Sequence, residues 1–210
     1  MLRSRVALVA IAALLLLSAC ANPAADKPKA VVGEATNTSS ASPVAGEKYL
    51  ITSENSKIEF IGAKVTGHHN GSFKKISGTI DYAGQIEKSR VSITIDSSSL
   101  ETDTPDLTKH LKTADFFDVA KYPEAKFEST EIKPGGEKGA SHTVTGNLTL
   151  HGVTKSVTFP ATITVNPGVI TVESSFAINR KDFGINYAGQ ADNLIRDDVA
   201  LTLHVKATKQ

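Results

Sequence analysis

The chain has 210 residues, of which 40% are hydrophobic and 21% are charged, a balance typical of a globular protein rather than a disordered or fibrous one. Its 23 basic and 22 acidic side chains give a formal net charge of +1, so it lacks the basic surplus with which proteins bind nucleic acid. The single cysteine excludes an internal disulfide and every zinc site built on two or more thiolates.

Residues 1–19 have the layout of a secretory signal peptide. Arg3 and Arg5 come first, an apolar run from Val6 to Leu17 follows, and two small residues end the segment. The apolar run is shorter than the roughly 20 residues that a bilayer-spanning helix needs. We therefore expect this segment to direct export and then to be removed.

The only cysteine stands directly after that segment. The order Leu17-Ser18-Ala19-Cys20 resembles the lipobox of bacterial lipoproteins, in which the cysteine thiol receives a diacylglyceryl group and becomes the N-terminus. We therefore expect lipid attachment at Cys20 and a membrane partner. In lipoproteins of enterobacteria, an Asp directly after the lipidated cysteine resembles a signal for retention in the inner membrane. This chain has Ala21 at that position. We therefore expect the outer membrane, facing the periplasm, as its site.

Residues 20–47 read as a lipidated N-terminus followed by a tether. Residues 21–47 contain prolines, alanines, serines and threonines but no aromatic residue and no helical or strand periodicity. Such a segment buries too little apolar surface to offset its ordering entropy. We expect a flexible spacer that reaches on the order of 30 Å and separates the membrane from a domain over 48–210.

The region 48–210 is dominated by alternation of apolar and polar residues, typical of strands with one buried face. The alternation recurs in eight segments, which start near residues 58, 76, 91, 127, 144, 157, 170 and 199. Turn signals such as Pro134-Gly135-Gly136 and Asn166-Pro167-Gly168 separate these segments. Since closing an antiparallel sheet removes its exposed edges, the pattern predicts an all-β fold, an antiparallel eight-stranded β-barrel.

One segment interrupts the strands. Thr104-Pro105-Asp106 offers a helix N-cap, a proline at the first helical position and an acid in the first turn, which predicts a short helix over 105–112. Phe116 and Phe117 follow it and either cover an opening of the barrel or fill a corner of its core. The barrel interior is either packed with side chains or holds one slender ligand, and its many small residues favour a cavity.

Four blocks of this region resemble the YceI-like polyisoprenoid-binding family in order and spacing. They are GSFKKISGTIDY (71–82), HLKTADFFDVAKYPEAKFEST (110–130), VTGNLTLHGVTKSVTFPATI (144–163) and FAINRKDFGI (176–185). The resemblance implies a lipocalin-like barrel with a helix, whose apolar tunnel holds an isoprenoid chain such as a polyprenyl phosphate or a quinone tail. It implies no catalytic activity, no cofactor beyond such a bound lipid or quinone, and secretion to the periplasm.

Two sets of residues are candidates for contact with such a ligand. The expected tunnel lining consists of Phe73, Phe127, Leu148, Phe159, Ile163 and Phe176. An ordinary core role is an equal alternative for each of them. Arg180 and Arg196 are the candidates for a polar head group, because arginine offers a planar fork of donors. The alternative for Arg180 is an ion pair with Asp182 or Asp198 that fixes the barrel rim.

Catalytic and metal sites are not expected. Adjacent His68 and His69 point to opposite faces of an extended chain, and Asp106 and His110 would supply two ligands without a third nearby in sequence. His151 is expected to make a hydrogen bond in a turn. Two hypotheses stay open: a membrane-anchored periplasmic binding protein for a polyisoprenoid or similar amphiphile, and an envelope structural or interaction module with a packed barrel and a contact loop over 62–72. A homodimer also stays open.

Overall fold

The computed structural model describes residues 22–36 and 46–210, so the signal segment 1–19 and Cys20 lie outside the described residues. No helix within the two described ranges is long and apolar enough to cross a bilayer. The strands are β1 (Val31–Glu34), β2 (Glu47–Thr52), β3 (Lys57–Lys64), β4 (Gly67–Phe73), β5 (Ile76–Tyr82), β6 (Arg90–Asp96), β7 (Leu100–Thr102), β8 (Glu124–Pro134), β9 (His142–Leu150), β10 (Val153–Asn166), β11 (Val169–Asn179), β12 (Gly189–Gln190), β13 (Asn193–Leu194) and β14 (Asp198–Lys209). The helices are α1 (Pro105–Leu111) and the 3₁₀ turns Ile86–Lys88, Ser97–Ser99, Glu137–Gly139 and Arg180–Phe183.

Eight of these strands close into an antiparallel barrel, which confirms the predicted fold class. The order around the ring is β2, β5, β6, β8, β9, β10, β11, β14 and back to β2. Seven of the eight alternating segments lie in this ring. The segment near residue 58 is also a strand, β3, but it lies beside the ring, and β2 takes the eighth place.

Strand β14 pairs with two different strands, which explains why β2 rather than β3 takes the eighth place in the ring. The last residues of β14 pair with β2, whereas its earlier residues 200–204 pair with β3. At that end of the barrel, β3, β4 and β7 extend the wall, and α1 follows β7 directly. Helix α1 covers Pro105–Leu111 against the expected 105–112, with proline in its first turn, so this prediction is also confirmed.

A second split separates β10 from β11, and the N-terminal segment occupies it. Strand β10 pairs with β11 only through residues 162–166, while β11 pairs with β14 along its whole length. In the gap, β1 pairs with β10 and the backbone N–H of Ala30 donates to the carbonyl of Ala177 at 2.8 Å. Residues 22–36, here called the strap, therefore lie along the barrel, where the composition of 20–47 led us to expect a flexible tether.

The strap is held at both of its ends. Ala24 is buried against Ala177 and Ala200 on the outer face of the barrel, with Ile61 packed beside them. At the other end, the side chain of Asn147 accepts from the backbone N–H of Thr36 at 2.9 Å and donates to its carbonyl at 2.6 Å. Backbone pairing and small side chains hold this segment, which is why its hydropathy pattern did not reveal it.

The half of the barrel away from α1 is packed solid. Phe159 stacks on Phe176 with ring centres 4.3 Å apart and 10° between the ring planes, and Phe127 lies 5.7 Å from Phe159. Ile80 and Ile170 are fully buried nearby in the same core cluster. In this half, the three aromatic rings and the aliphatic side chains around them occupy the barrel interior.

We expect Gly146→Ala to destabilise the barrel by about 1–3 kcal/mol, because its Cβ would overlap the ring of Phe127 and come 2.6 Å from the carbonyl oxygen of Glu128. Urea unfolding followed by circular dichroism measures the change. Gly33→Ala is the matched control, since nothing lies within 4 Å of a Cβ there. An equal loss of stability in both variants would contradict the packing described for this half.

Candidate functional site

The other half of the barrel encloses a cavity of about 450 Å³, a size typical of small-molecule sites. Its position follows from which strand ends line it. Ile95 at the end of β6, Ala125 at the start of β8, Leu150 at the end of β9 and Val199 at the start of β14 all face it. The cavity therefore occupies the end of the barrel at which β3 and β4 extend the wall.

Apolar and aromatic side chains form most of the cavity wall. Phe60, Phe73 and Phe117 form a cluster with ring centres 5.7 to 6.4 Å apart. Leu107 and Leu111 project into the cavity from the same face of α1, as their spacing of four predicts. A surface of this kind binds apolar chains through burial rather than through directed hydrogen bonds.

A second aromatic cluster closes one side of the cavity. The rings of His110, Phe116 and Tyr187 lie 5.1 to 5.2 Å from one another, and Asp115 lies 2.9 Å from His110 Nε2. Phe116 and Phe117 both line the cavity, and Phe116 is also a buried member of the core cluster against which Phe117 packs. The sequence signal was the pair of aromatics directly after a short helix.

Polar side chains gather at the mouth, on two hairpins. Lys64 and His69 come from the β3–β4 hairpin, and Gln190 and Asn193 come from the β12–β13 hairpin. The two hairpins meet in a β-bridge between Lys64 and Ile195. The cavity therefore has an apolar interior and a polar, partly exposed entrance.

His69 is held in place by a carboxylate. Its Nδ1 lies 2.9 Å from Asp103 Oδ1, and Asp103 Oδ2 accepts from the backbone N–H of Asn70 at 2.9 Å. The backbone hydrogen bond from Asn70 is the main cause that lowers the pKa of Asp103, with a smaller contribution from His69. This arrangement fixes the ring of His69 at the cavity mouth.

Arg180 lines the cavity, and its donors point to protein acceptors. Its guanidinium donates to the carbonyls of Ile185 at 2.6 Å and Arg196 at 3.2 Å, and it lies 3.4 Å from a carboxylate oxygen of Asp197. The residue is only 5% exposed, and burial lowers the pKa of its guanidinium. Its ion-pair partner is Asp197 rather than the expected Asp182 or Asp198. Arg180 therefore fixes the loop 185–197 that carries one side of the mouth.

The structure separates the predicted ligand residues into two groups. Phe73 and Leu148 line the cavity, whereas the other four candidates belong to the packed core: Phe127, Phe159, Ile163 and Phe176. Arg196 is half-buried and is not among the lining residues. The alternation indicated correctly which residues face inward, but it carries no information on how far along the barrel the cavity extends.

The remaining histidines and acids form no cluster suited to a metal. Within residues 22–36 and 46–210, no group of three or more histidine, cysteine, aspartate or glutamate side chains converges. Asp106 pairs with Lys109 rather than with His110. His151 adopts a positive φ of 51° in the β9–β10 turn, and its Nδ1 lies 3.2 Å from the carbonyl oxygen of Phe183, so it joins that turn to the 3₁₀ turn before the mouth loop.

Comparison with known proteins assigns the fold to a family. The model of the YceI-like domain matches residues 49–207. The chain belongs to the YceI-like domain family. A UPF0312 protein of Pseudomonas putida (strain W619) is 39% identical to this YceI-like chain over 139 residues, covering 63% of it and 71% of the relative.

Two solved structures share the YceI-like architecture. Burkholderia cenocepacia BcnA superposes with a TM-score of 0.64 at 25% identity, over 75% of this chain and 99% of that one. A structure from Saccharophagus degradans, described as a polyisoprenoid binding domain implicated in plant cell wall breakdown, gives a TM-score of 0.62 at 18% identity. It covers 78% of this chain and 99% of that one, and at this identity it supports the fold alone.

We expect Arg180→Ala to lower the free energy of unfolding by about 2–4 kcal/mol, because the carbonyls of the mouth loop lose a buried charged donor. Amide hydrogen exchange over 185–197 should accelerate at the same time. Arg196→Ala is the control, since this arginine is half-buried in the same loop and is not among the residues that line the cavity. Unchanged exchange in Arg180→Ala would refute the role given to this side chain.

Asp103 gives a pH dependence of defined sign. Because its folded pKa lies below the ordinary value of 3.8, the carboxylate stabilises the fold above that value and loses this contribution as the pH falls. We expect Asp103→Asn to reduce the loss of stability between about pH 5 and pH 2. The effect is small, since the side chain is 40% exposed. Unfolding midpoints across this range, compared with those of exposed Asp106→Asn, measure it, and identical pH profiles of Asp103→Asn and the parent would contradict it.

Proposed function

We propose that the domain binds a polyisoprenoid or similar amphiphile, such as a quinone or a polyprenyl phosphate, without catalysing a reaction. The observation that carries the proposal is the apolar cavity of about 450 Å³ with its polar mouth. We further propose that the protein is secreted and held in the periplasm by a lipid on Cys20, with the outer membrane as its site. The signal segment and lipobox-like order of residues 1–20 support this part.

The distribution of polarity in the cavity suits an amphiphile with one polar end. An isoprenoid chain is nearly featureless, so its affinity comes from burial at roughly 25 cal/mol for each Å² of apolar surface. Phe60, Phe73 and Leu201 offer such a surface, while Lys64 and His69 stand where a polar group would emerge. Arg180 contributes by holding the mouth loop in place rather than by contacting the head group.

The competing proposal, an interaction module with a packed barrel, finds its support in the other half of the molecule. There Phe159 and Phe176 stack and the interior is filled. The cavity beside α1 favours ligand binding over this reading. The two proposals predict different results on purification. A ligand-binding domain carries lipid through purification, and an interaction module does not.

We expect Leu148→Trp to reduce the bound isoprenoid by at least about tenfold, a loss of about 1.4 kcal/mol, because the indole occupies the cavity and displaces apolar contact area. Thr149→Trp is the matched control, since the next residue of a strand points to the opposite face. The measurement is mass spectrometry of an organic extract of residues 20–210, purified without detergent and compared with both variants.

Two outcomes would contradict the proposal. A folded parent protein that carries no lipid and takes up no added polyprenol or quinone would favour the interaction module. Equal lipid in Leu148→Trp and Thr149→Trp would exclude this cavity as the binding site.

A further inference from the structure

The strap begins at the same end of the barrel as the cavity mouth. Ala24 packs against Ala200, near the start of β14, and Lys29 forms an ion pair of 2.9 Å with Asp198, the first residue of that strand. Val199, which lies between these two residues of β14, lines the cavity. Within the described residues, the contacts nearest the N-terminal end of the strap are therefore made beside the mouth.

This position limits how far the barrel can lie from Cys20. Ala24 follows Cys20 by four positions, and a fully extended chain spans at most about 14 Å over that interval. While the strap is docked, this short segment sets the greatest distance between a lipid on Cys20 and the barrel. A tether that ran to residue 47 would allow a much larger distance. The anchor then stays near the mouth end of the barrel.

Two exposed hydrophobic side chains lie side by side at the mouth. Val65 and Leu194 are 57% and 49% exposed, and the backbone N–H of Val65 donates to the carbonyl of Leu194 at 3.2 Å. Their chain neighbours Lys64 and Asn193 line the cavity mouth. Of the four large exposed hydrophobic side chains among the described residues, two thus adjoin at this rim.

The charge around this pair is balanced. The two rim hairpins, residues 64–69 and 189–195, carry one lysine and one aspartate besides two histidines. Such a surface has no bias towards anionic lipid or towards a charged protein partner. Its exposed valine and leucine instead suit the interface of a zwitterionic bilayer.

We propose that the cavity mouth docks on a phospholipid bilayer, with Val65 and Leu194 in the interface and the strap holding the Cys20 anchor at the same end. The inference rests on the proposed lipid binding and anchoring. It adds an orientation: the entrance of the cavity faces the membrane. An insoluble isoprenoid then passes between bilayer and cavity without crossing water.

The composition of the chain makes the orientation measurable. It has no tryptophan and one cysteine, so Val65→Trp introduces a single tryptophan that can be excited selectively, and Cys20 couples residues 20–210 to a maleimide lipid in phosphatidylcholine vesicles. We expect a blue shift and quenching by brominated phosphatidylcholine. The matched control is Val165→Trp, 39% exposed near the far end of β10, and we expect its quenching to be at least about threefold weaker.

The contribution of the strap is tested by lengthening the chain between Cys20 and the strap. A flexible Gly-Ser linker of about 25 residues inserted between residues 21 and 22 should reduce the quenching of Val65→Trp towards the control level, because the effective concentration of the rim at the membrane falls. Unchanged quenching with the linker would overturn the role of the strap. Equal quenching of Val65→Trp and Val165→Trp would overturn the docking orientation itself.

Lipid extraction from the same samples separates this inference from the proposed function. Protein that retains isoprenoid but shows equal quenching at both positions binds lipid and does not dock by its mouth. Preferential quenching at Val65→Trp in protein that takes up no isoprenoid supports docking and refutes the ligand.

Discussion

The interior of an eight-stranded barrel is only wide enough for side chains or for one slender ligand, and this limit governs the whole structure. The cavity exists because two strand pairs diverge at one end. Strand β14 leaves β2 and pairs with β3, and β10 leaves β11 and pairs with the strap. At both splits another segment of the same chain pairs with the backbone groups that would otherwise be exposed.

The divergence divides the barrel into two halves with different sources of stability. The narrow half depends on close packing, as in the stacked rings of Phe159 and Phe176. The wide half cannot fill its interior, so its walls are fixed by hydrogen bonds and by aromatic clusters at the edges. Arg180 is the clearest example, since one buried side chain holds a loop that contributes few buried apolar residues.

Much of this fold could be predicted from the sequence because alternation reports which face of a strand is buried. Strand β4, GHHNGSF, escaped prediction because its polar residues lie at the cavity mouth and mask the pattern. The extent of the cavity also escaped, since Leu148 and Phe159 share the inward face and differ only in their distance along the barrel. Arg180 was identified as a site candidate, but its partner Asp197 lies in a loop that no periodicity describes.

The strap is the part of the structure where composition and structure differ most. Its buried side chains are only Ala24 and Ala30, so pairing with β10, Ala177 and Asn147 supplies most of its attachment. Segments with few buried apolar contacts open at lower free energy than the core. Release of the strap would nevertheless leave backbone groups of β10 and β11 without their partners. The free-energy cost of these lost hydrogen bonds opposes release. The wide half of the barrel is therefore closed by a segment with little hydrophobic stabilisation, and that segment is the one that leads to Cys20.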